Sequence, residues 1–165
     1  MMWLLFVAAT DLRVLTFNVA GLPQAVSQAM PARDTAKIGG LLRDYDIAVV
    51  QEDFWYHSDL LSQNRHVYRS RPYHESPTFF DIGDGLNQFS KFPFTQFGRA
   101  AWNQCSGTLA CSNDCMASKG YSFSALQLPN MIVHLYNLHM DAGECDSDFP
   151  ARQAHQCIGL SPPSD

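Results

Sequence analysis

Three polar residues at the ends of apolar segments carry the chemistry that this sequence offers. Asn18 and Glu52 each follow a continuous apolar run, and His139 closes a third. Such runs are typical of buried strands in a layered α/β sheet, and polar groups at the ends of these strands are where sites are built. Carboxylates bind hard cations, and an imidazole exchanges protons near neutral pH.

Taken singly, each of these residues also has a purely structural interpretation. Asn18 could satisfy a turn after its strand, Glu52 could be a solvated loop charge, and His139 could bond a backbone carbonyl at the edge of the core. The occurrence of all three at strand ends favours the functional interpretation.

Further segments strengthen that interpretation through their order. Gly83–Phe94 closes in Ser-Lys-Phe-Pro, Ser118–Tyr121 reads Ser-Lys-Gly-Tyr, and an alanine follows His139 after two residues. Together with the three apolar runs, these segments resemble the endonuclease/exonuclease/phosphatase superfamily of metal-dependent phosphodiesterases, and within it the sphingomyelinase-like branch. The resemblance extends from about Leu12 to about Gln156.

The resemblance implies a role for each polar residue. Glu52 is expected to bind Mg²⁺ or another divalent cation, because magnesium prefers hard oxygen ligands and keeps several waters. Asn18 is expected beside the metal, as a ligand or as the group that fixes the carboxylate or a phosphate oxygen. His139 is expected to donate a hydrogen bond to a phosphoryl oxygen as negative charge grows. His134 lies an odd number of residues earlier, so it faces the other side of the strand and is expected to be structural.

The family also implies the fold, which is of the α+β or α/β class. It is a four-layer sandwich in which two packed mixed β-sheets are flanked by helices. For a chain of 165 residues we expect part of this sandwich, with the C-terminal half missing. Such a chain would form the first sheet and leave much of its packing face without the second, which favours association.

The residue patterns predict the individual elements. Apolar residues at helical spacing after Pro31 predict a helix, which the Gly39-Gly40 pair weakens by roughly 1 kcal/mol per glycine relative to alanine. The whole set comprises buried strands before Asn18 and Glu52, helices over 32–43 and 57–63, and strands over 86–90, 94–101, 121–128 and 131–138, the last two joined by a tight turn at Pro129-Asn130.

Two groups that the family uses in catalysis are missing. Its general base is a histidine that follows an aspartate, and an Asp-x-Asn motif supplies further groups. Neither motif occurs after His139, and His155, on a helix-like segment, has no aspartate before it. We therefore expect the first part of an active site and a chain that alone is a poor or inactive catalyst.

The ends of the chain leave alternatives open. Residues 1–10 are apolar and read either as a signal remnant or as an extension of the first strand. Residues 11–157 are assigned to one incomplete domain and residues 158–165 to a tail. No stretch approaches the roughly 20 apolar residues of a transmembrane helix. An extracellular location is favoured, with a cytoplasmic one left open.

Cysteine usage supports the extracellular location. Cys105, Cys111 and Cys115 lie within one loop rich in glycine and serine. A loop disulfide of a secreted protein is the favoured interpretation. Zinc is the alternative, but the loop lacks Cys-x-x-Cys pairs and contains no histidine. The resemblance implies that this loop borders the substrate.

Charge bears on the substrate. The net charge of −5 argues against a broad nucleic-acid surface, which leans on clustered lysine and arginine. The most basic stretch, Arg65–His74, reads as an exposed strand and loop. The aromatic cluster Phe54–Tyr56 could pack in the core or face an apolar or choline-bearing substrate. A lipid-like or small phosphodiester is favoured, with peripheral membrane contact and self-association as further expectations.

Two alternative functions stay open. One is a secreted nuclease of the same superfamily, although Ala20 stands where the abasic-site nucleases carry an aspartate. The other is a binding or interaction module that keeps the fold without the chemistry.

Overall fold

The computed structural model describes residues 11–73, 82–106 and 114–142. These residues form a four-stranded sheet and a three-stranded sheet. The first sheet contains β1 (Val14–Asn18), β2 (Ile47–Gln51), β3 (Tyr68–Arg69) and β4 (Asn87–Ser90), and the second contains β5 (Phe94–Ala101), β6 (Gly120–Gln127) and β7 (Ile132–Leu138). The helices are α1 (Pro31–Leu42), α2 (His57–Gln63) and a 3₁₀ turn at Asp114–Met116.

The chain opens with a β1-α1-β2 unit. β1 and β2 are parallel neighbours, and a helix crossover is the usual connection between such strands. Pro31 occupies the start of α1, where its missing N–H costs nothing and its fixed φ suits the helix. The register pairs Asn18 with Gln51, so the ends of both strands meet at one edge of the sheet.

The first sheet is mixed and the second is antiparallel. The first has the order β1-β2-β4-β3, and β4 runs antiparallel to both of its neighbours. The second is a meander in the order β5-β6-β7. β2 therefore lies inside its sheet, with a strand on each side.

Strand β2 is buried on both faces, as its continuous apolar sequence predicts. Ala48 and Val50 face the helices, and Ile47 and Val49 face the second sheet. The helix-side cluster comprises Val19, Leu42, Ala48, Val50, Leu60 and Phe89, and the cluster between the sheets comprises Ile47, Val49, Leu126 and Leu128.

Polar side chains join the sheets beside this apolar cluster. The Gln88 amide donates to Ser122 Oγ at 2.9 Å and accepts from Ser124 Oγ at 2.5 Å. Asn137 donates to the backbone oxygen of Val50 at 2.8 Å and accepts from Gln51 Nε2 at 2.5 Å. Buried amides with directional bonds fix the position of one sheet on the other more specifically than apolar contacts do.

Most predicted elements are confirmed. Both helices and the strands in both sheets lie within about two residues of the predicted bounds. Cys105 and Cys115 form a disulfide, as the loop composition predicts. The signal or strand interpretation of residues 1–10, the helix-like segment with His155, and Cys111 lie outside the described residues.

The prediction that β1 is a buried strand is wrong. Val14 is 48% exposed and Phe17 is 42% exposed. The reason is position, because among the described residues β1 stands at the end of the strand order and pairs with β2 on one side. An apolar run indicates a strand but does not tell how many neighbours it has.

The expectation that the chain would form only the first sheet is wrong, since three strands of a second sheet pack on β2. Leu126 and Leu128, on and just after β6, pack on Ile47 and Val49 of the first sheet. The described part of the chain thus contains two sheets in contact. None of its helices has the length and hydropathy needed to cross a bilayer.

The contact between α1 and α2 gives a stability prediction with an internal control. A Cβ on Gly39 would lie 2.1 Å from the backbone oxygen of Leu60, whereas a Cβ on Gly40 would meet nothing nearer than Gln63 Cβ at 3.7 Å. We expect Gly39→Ala to lower the free energy of unfolding by about 1–3 kcal/mol through overpacking. Gly40→Ala should raise it by up to about 1 kcal/mol. Urea unfolding checks both, and equal stabilities would contradict the packing described.

Candidate functional site

The turn after β2 presents Glu52 from a left-handed backbone conformation. Its φ is 59°, which is uncommon outside glycine. The Gly21 N–H donates to the backbone carbonyl oxygen of Glu52 at 2.9 Å. The Asp53 N–H donates to the backbone carbonyl oxygen of Gly85 at 3.0 Å. A Cβ on Gly21 would lie 2.5 Å from the Glu52 oxygen, so glycine is required for this approach. The direction of the carboxylate is therefore set by segments on both sides of β2.

Asn18 lies directly against this carboxylate. Its Oδ1 accepts the Ala20 N–H at 2.9 Å, which identifies the oxygen of the amide and turns Nδ2 the other way. Nδ2 donates to Glu52 Oε1 at 2.8 Å. The predicted pairing of the two strand ends is thus present in the structure.

His139 reaches the same carboxylate from the second sheet. It follows β7, and its backbone is held by bonds from its N–H to the Gly120 oxygen at 2.9 Å and from Trp102 Nε1 to its own oxygen at 2.7 Å. Nε2 lies 3.6 Å from Glu52 Oε1, within ion-pair distance but longer than a hydrogen bond. Nδ1 is buried and has no hydrogen-bond partner among the described residues.

These neighbours stabilise the charged form of Glu52. The imidazole of His139 holds the pKa of the Glu52 carboxyl below its usual value, and the Asn18 amide acts in the same direction. Burial acts in the opposite direction, and Lys119 adds a weaker favourable contribution. Glu52 is consequently an anion at neutral pH.

The remaining predicted residues take less direct positions. His134 is exposed on the outer face of the second sheet, 5.4 Å from the ring of Phe123, which confirms that it faces away from His139. Phe54 is buried, and Trp55 and Tyr56 are half-buried.

The basic stretch after Arg65 is less solvated than predicted. Tyr68 and Arg69 are exposed as predicted. His66, which directly follows Arg65, is buried. Its ring contacts the Tyr45 oxygen at 3.1 Å. Arg69 Nε donates to the His66 oxygen at 2.9 Å, so this charge supports its own loop.

A buried polar network around Asp53, the residue after Glu52, was not predicted from the sequence. Asp53 Oδ2 lies 2.6 Å from His57 Nδ1 and accepts from Asn87 Nδ2 at 2.8 Å. Asp53 is buried, and its Oδ1 has no partner among the described residues. The four-residue spacing of Asp53 and His57 at the start of α2 was the available sequence signal.

A second missed group is an ion pair between the sheets. Arg99 on β5 donates to both carboxylate oxygens of Asp84, at 2.6 and 2.7 Å. Asp84 lies in the turn that precedes β4, next to Gly85. No sequence pattern linked these residues, because they are brought together by the packing of the sheets.

The arrangement suits a cation that keeps most of its water. The described ranges hold no group of three or more His, Cys, Asp or Glu side chains that could bind a metal. Magnesium does not need one, since one or two carboxylates with waters and substrate phosphates usually bind it. The Glu52 side chain is 26% exposed, and its Oε2 accepts no hydrogen bond from the described residues. Glu52, fixed by Asn18, therefore fits such a cation.

Comparison with known proteins agrees with the family resemblance. No protein-family model matches the chain. Over 141 residues, 81% of this chain, it is 38% identical to proteins named sphingomyelinase from Mycobacterium bovis and Mycobacterium tuberculosis. The chain spans 27% of the length of these curated relatives.

Solved structures share the fold. A mutant of beta toxin from Staphylococcus aureus with bound magnesium ions has a TM-score of 0.70 at 18% identity, covering 88% of this chain and 56% of that one. Sphingomyelinase C from Streptomyces griseocarneus has a TM-score of 0.66 at 21% identity, covering 88% and 55%. The chain is thus a homologue of part of the sphingomyelinases, and its fold is that of the endonuclease/exonuclease/phosphatase superfamily.

Proposed function

We propose that this chain supplies the cation- and phosphate-binding part of a sphingomyelinase-like phosphodiesterase. The observation that carries the proposal is the convergence of Asn18, Glu52 and His139, with separations of 2.8 Å and 3.6 Å from Glu52 Oε1. The 38% identity to proteins named sphingomyelinase supports the same activity class.

In this proposal Glu52 holds a Mg²⁺ ion and Asn18 fixes the carboxylate beside it. Bound there, magnesium would screen the charge of a phosphodiester and polarise one of its oxygens. The depressed pKa of Glu52 supports this role, because the ligand must be ionised at the pH of the reaction. Asn18 is itself oriented by the Ala20 N–H, so the amide is already in place before a ligand binds.

His139 would donate a hydrogen bond to a phosphoryl oxygen. Such a donor stabilises the transition state most when its direction is fixed in advance. The backbone bonds to Gly120 and Trp102 fix the segment that carries the ring, and the ring lies beside Glu52. The imidazole and the carboxylate would thus act on the same phosphate.

The sequence after His139 contains neither an Asp-x-Asn motif nor an Asp-His pair. The described residues offer groups for a cation and a phosphate, and we expect them to bind both. Binding of this kind would also suit a binding module that keeps the fold without the chemistry, which is the second candidate function. A nuclease of the same superfamily is the third.

The substrate that we propose is a lipid-like or small phosphodiester. The net charge of −5 disfavours a nucleic-acid surface, and the relatives named sphingomyelinase favour a lipid. The disulfide between Cys105 and Cys115 supports an oxidising, extracellular environment. Peripheral contact with a membrane would follow from a lipid substrate, and the exposed apolar residues of β1 support self-association.

Changing each proposed ligand tests the function. We expect Glu52→Gln to weaken Mg²⁺ binding, followed by calorimetry, by more than about tenfold, since it removes the anionic ligand. His139→Ala should keep Mg²⁺ binding and lower sphingomyelin hydrolysis by about 100-fold or more, where wild-type hydrolysis is measurable. His134→Ala is the matched control, because this histidine faces away from the site and should leave both values unchanged.

Four results would contradict the proposal. Unchanged Mg²⁺ binding by Glu52→Gln would show that Glu52 is not the metal ligand. Equal effects of His139→Ala and His134→Ala on sphingomyelin hydrolysis would show that His139 has no special role. Faster cleavage of DNA than of sphingomyelin would favour the nuclease. Wild-type binding of choline-lipid vesicles without hydrolysis, unaffected by Glu52→Gln, would favour the binding module.

The charge of Glu52 also predicts a pH dependence of stability. Because its pKa is lower in the folded chain than the usual 4.5, its ionisation contributes stability that is present above that pH and lost as pH falls through the folded pKa. In metal-free buffer, the excess stability of wild type over Glu52→Gln should shrink between about pH 6 and pH 3.

Urea unfolding at each pH measures this difference. Asp46, whose pKa is lowered by a bond from the Arg13 N–H, is the control outside the site, and Asp46→Asn should show the same sign. A gap between wild type and Glu52→Gln that stays constant or widens as pH falls would contradict the ionised state of Glu52.

A further inference from the structure

The left-handed turn at Glu52 depends on a second turn for its support. A non-glycine residue with a φ of 59° persists where its surroundings fix it. The Asp53 N–H donates to the Gly85 oxygen, and a Cβ on Gly85 would lie 2.9 Å from Glu52 Cα and 2.6 Å from the Phe54 ring. The segment 83–86 thus packs against the Glu52 turn and accepts a hydrogen bond from it.

This supporting turn has its own conformational cost. Gly83 and Gly85 both have positive φ, at 73° and 62°. Between them, Asp84 Oδ1 accepts the Leu86 N–H at 2.9 Å, which closes the turn. Two glycines give the unfolded segment many conformations, so the turn needs contacts that select one of them.

Arg99 supplies those contacts from the other sheet. Its Nη1 donates to both oxygens of Asp84 and to the backbone oxygen of Leu86. Its Nη2 donates to Asn87 Oδ1 at 3.1 Å and to the Arg71 oxygen. Because Asn87 donates to Asp53 Oδ2, the same guanidinium supports the Glu52 turn by a second route.

The pair is shielded from water. The side chains of Arg99 and Asp84 are 15% and 5% exposed. Burial raises the pKa of the Asp84 carboxyl, and the guanidinium acts in the opposite direction. A lysine keeps the charge but has no planar fork, so it could not hold the carboxylate and the backbone oxygens together.

We propose that Arg99 is a positioning residue that fixes the direction of Glu52 from the opposite sheet by clamping the Gly83–Leu86 turn. The functional meaning of that direction rests on the proposed cation site, but the clamp itself is a property of the folded chain. It is therefore measurable without a metal.

Amide hydrogen exchange by NMR tests the clamp in the full chain without metal. The Gly21 amide bonds to the backbone oxygen of Glu52, and the Asp53 amide bonds to that of Gly85. In Arg99→Lys we expect both amides to exchange at least about tenfold faster than in wild type. The Leu128 amide, bonded to Met131 in the hairpin, should be unchanged. Lys91→Met removes an exposed cation that pairs with Asp46 at 3.0 Å, and should leave all three amides as in wild type.

Unchanged exchange at Gly21 and Asp53 in Arg99→Lys would overturn the proposal, as would equal acceleration at Leu128 or a lack of protection in wild type. If Arg99→Lys does not fold, Asp84→Asn replaces it, since it keeps the turn-closing oxygen and removes the charge; the same local acceleration is then expected.

Mg²⁺ titration of the same samples separates this proposal from the proposed function. Local acceleration together with weakened Mg²⁺ binding supports both. Local acceleration in a chain whose wild type binds no Mg²⁺ keeps the clamp and overturns the cation site.

Discussion

The candidate site depends on one backbone conformation, the left-handed turn that ends β2 at Glu52. In an ordinary strand continuation the carboxylate would point elsewhere, because side-chain direction follows the backbone. The turn persists because two segments of the chain, residues 18–21 and the turn at Gly85, hold it from either side. Gly21 bonds to the Glu52 oxygen, Gly85 accepts the Asp53 N–H, and Asn18 bonds the carboxylate itself. A strained residue held in this way is typical of a binding site.

The packing of the two sheets brings residues of the second sheet to the candidate site on the first. It brings His139 to the carboxylate from the end of β7, and it brings Arg99 to Asp84 from β5. The buried amides of Gln88 and Asn137 fix the two sheets relative to each other beside the apolar cluster. The cost of burying these amides is offset by their hydrogen bonds, and the result is a defined distance between strand ends. The interface between the two sheets therefore contributes both to the stability of the fold and to the geometry of the site.

Local patterns in the sequence predicted most of the elements, and the family resemblance implied that the strand ends carrying Asn18, Glu52 and His139 would meet. Apolar periodicity located β2 and α1, and strand alternation separated His134 from His139. The prediction failed for properties that depend on which elements are neighbours in the fold. The apolar sequence of β1 could not show that, within the described part of the chain, the strand pairs with a neighbour on one side alone. Arg99 and Asp84 went unrecognised because their meeting depends on how the sheets face each other, which no spacing in the sequence encodes.

Anomalous diffraction from crystals of this chain soaked with Mn²⁺, a substitute for Mg²⁺ with similar oxygen ligands, shows directly whether Glu52 binds a divalent cation. We expect a Mn²⁺ peak within coordination distance of the Glu52 carboxylate, with Asn18 and His139 around it, and no such peak in Glu52→Gln. A peak elsewhere on the chain, or none at saturating Mn²⁺, would rule out Glu52 as the cation ligand.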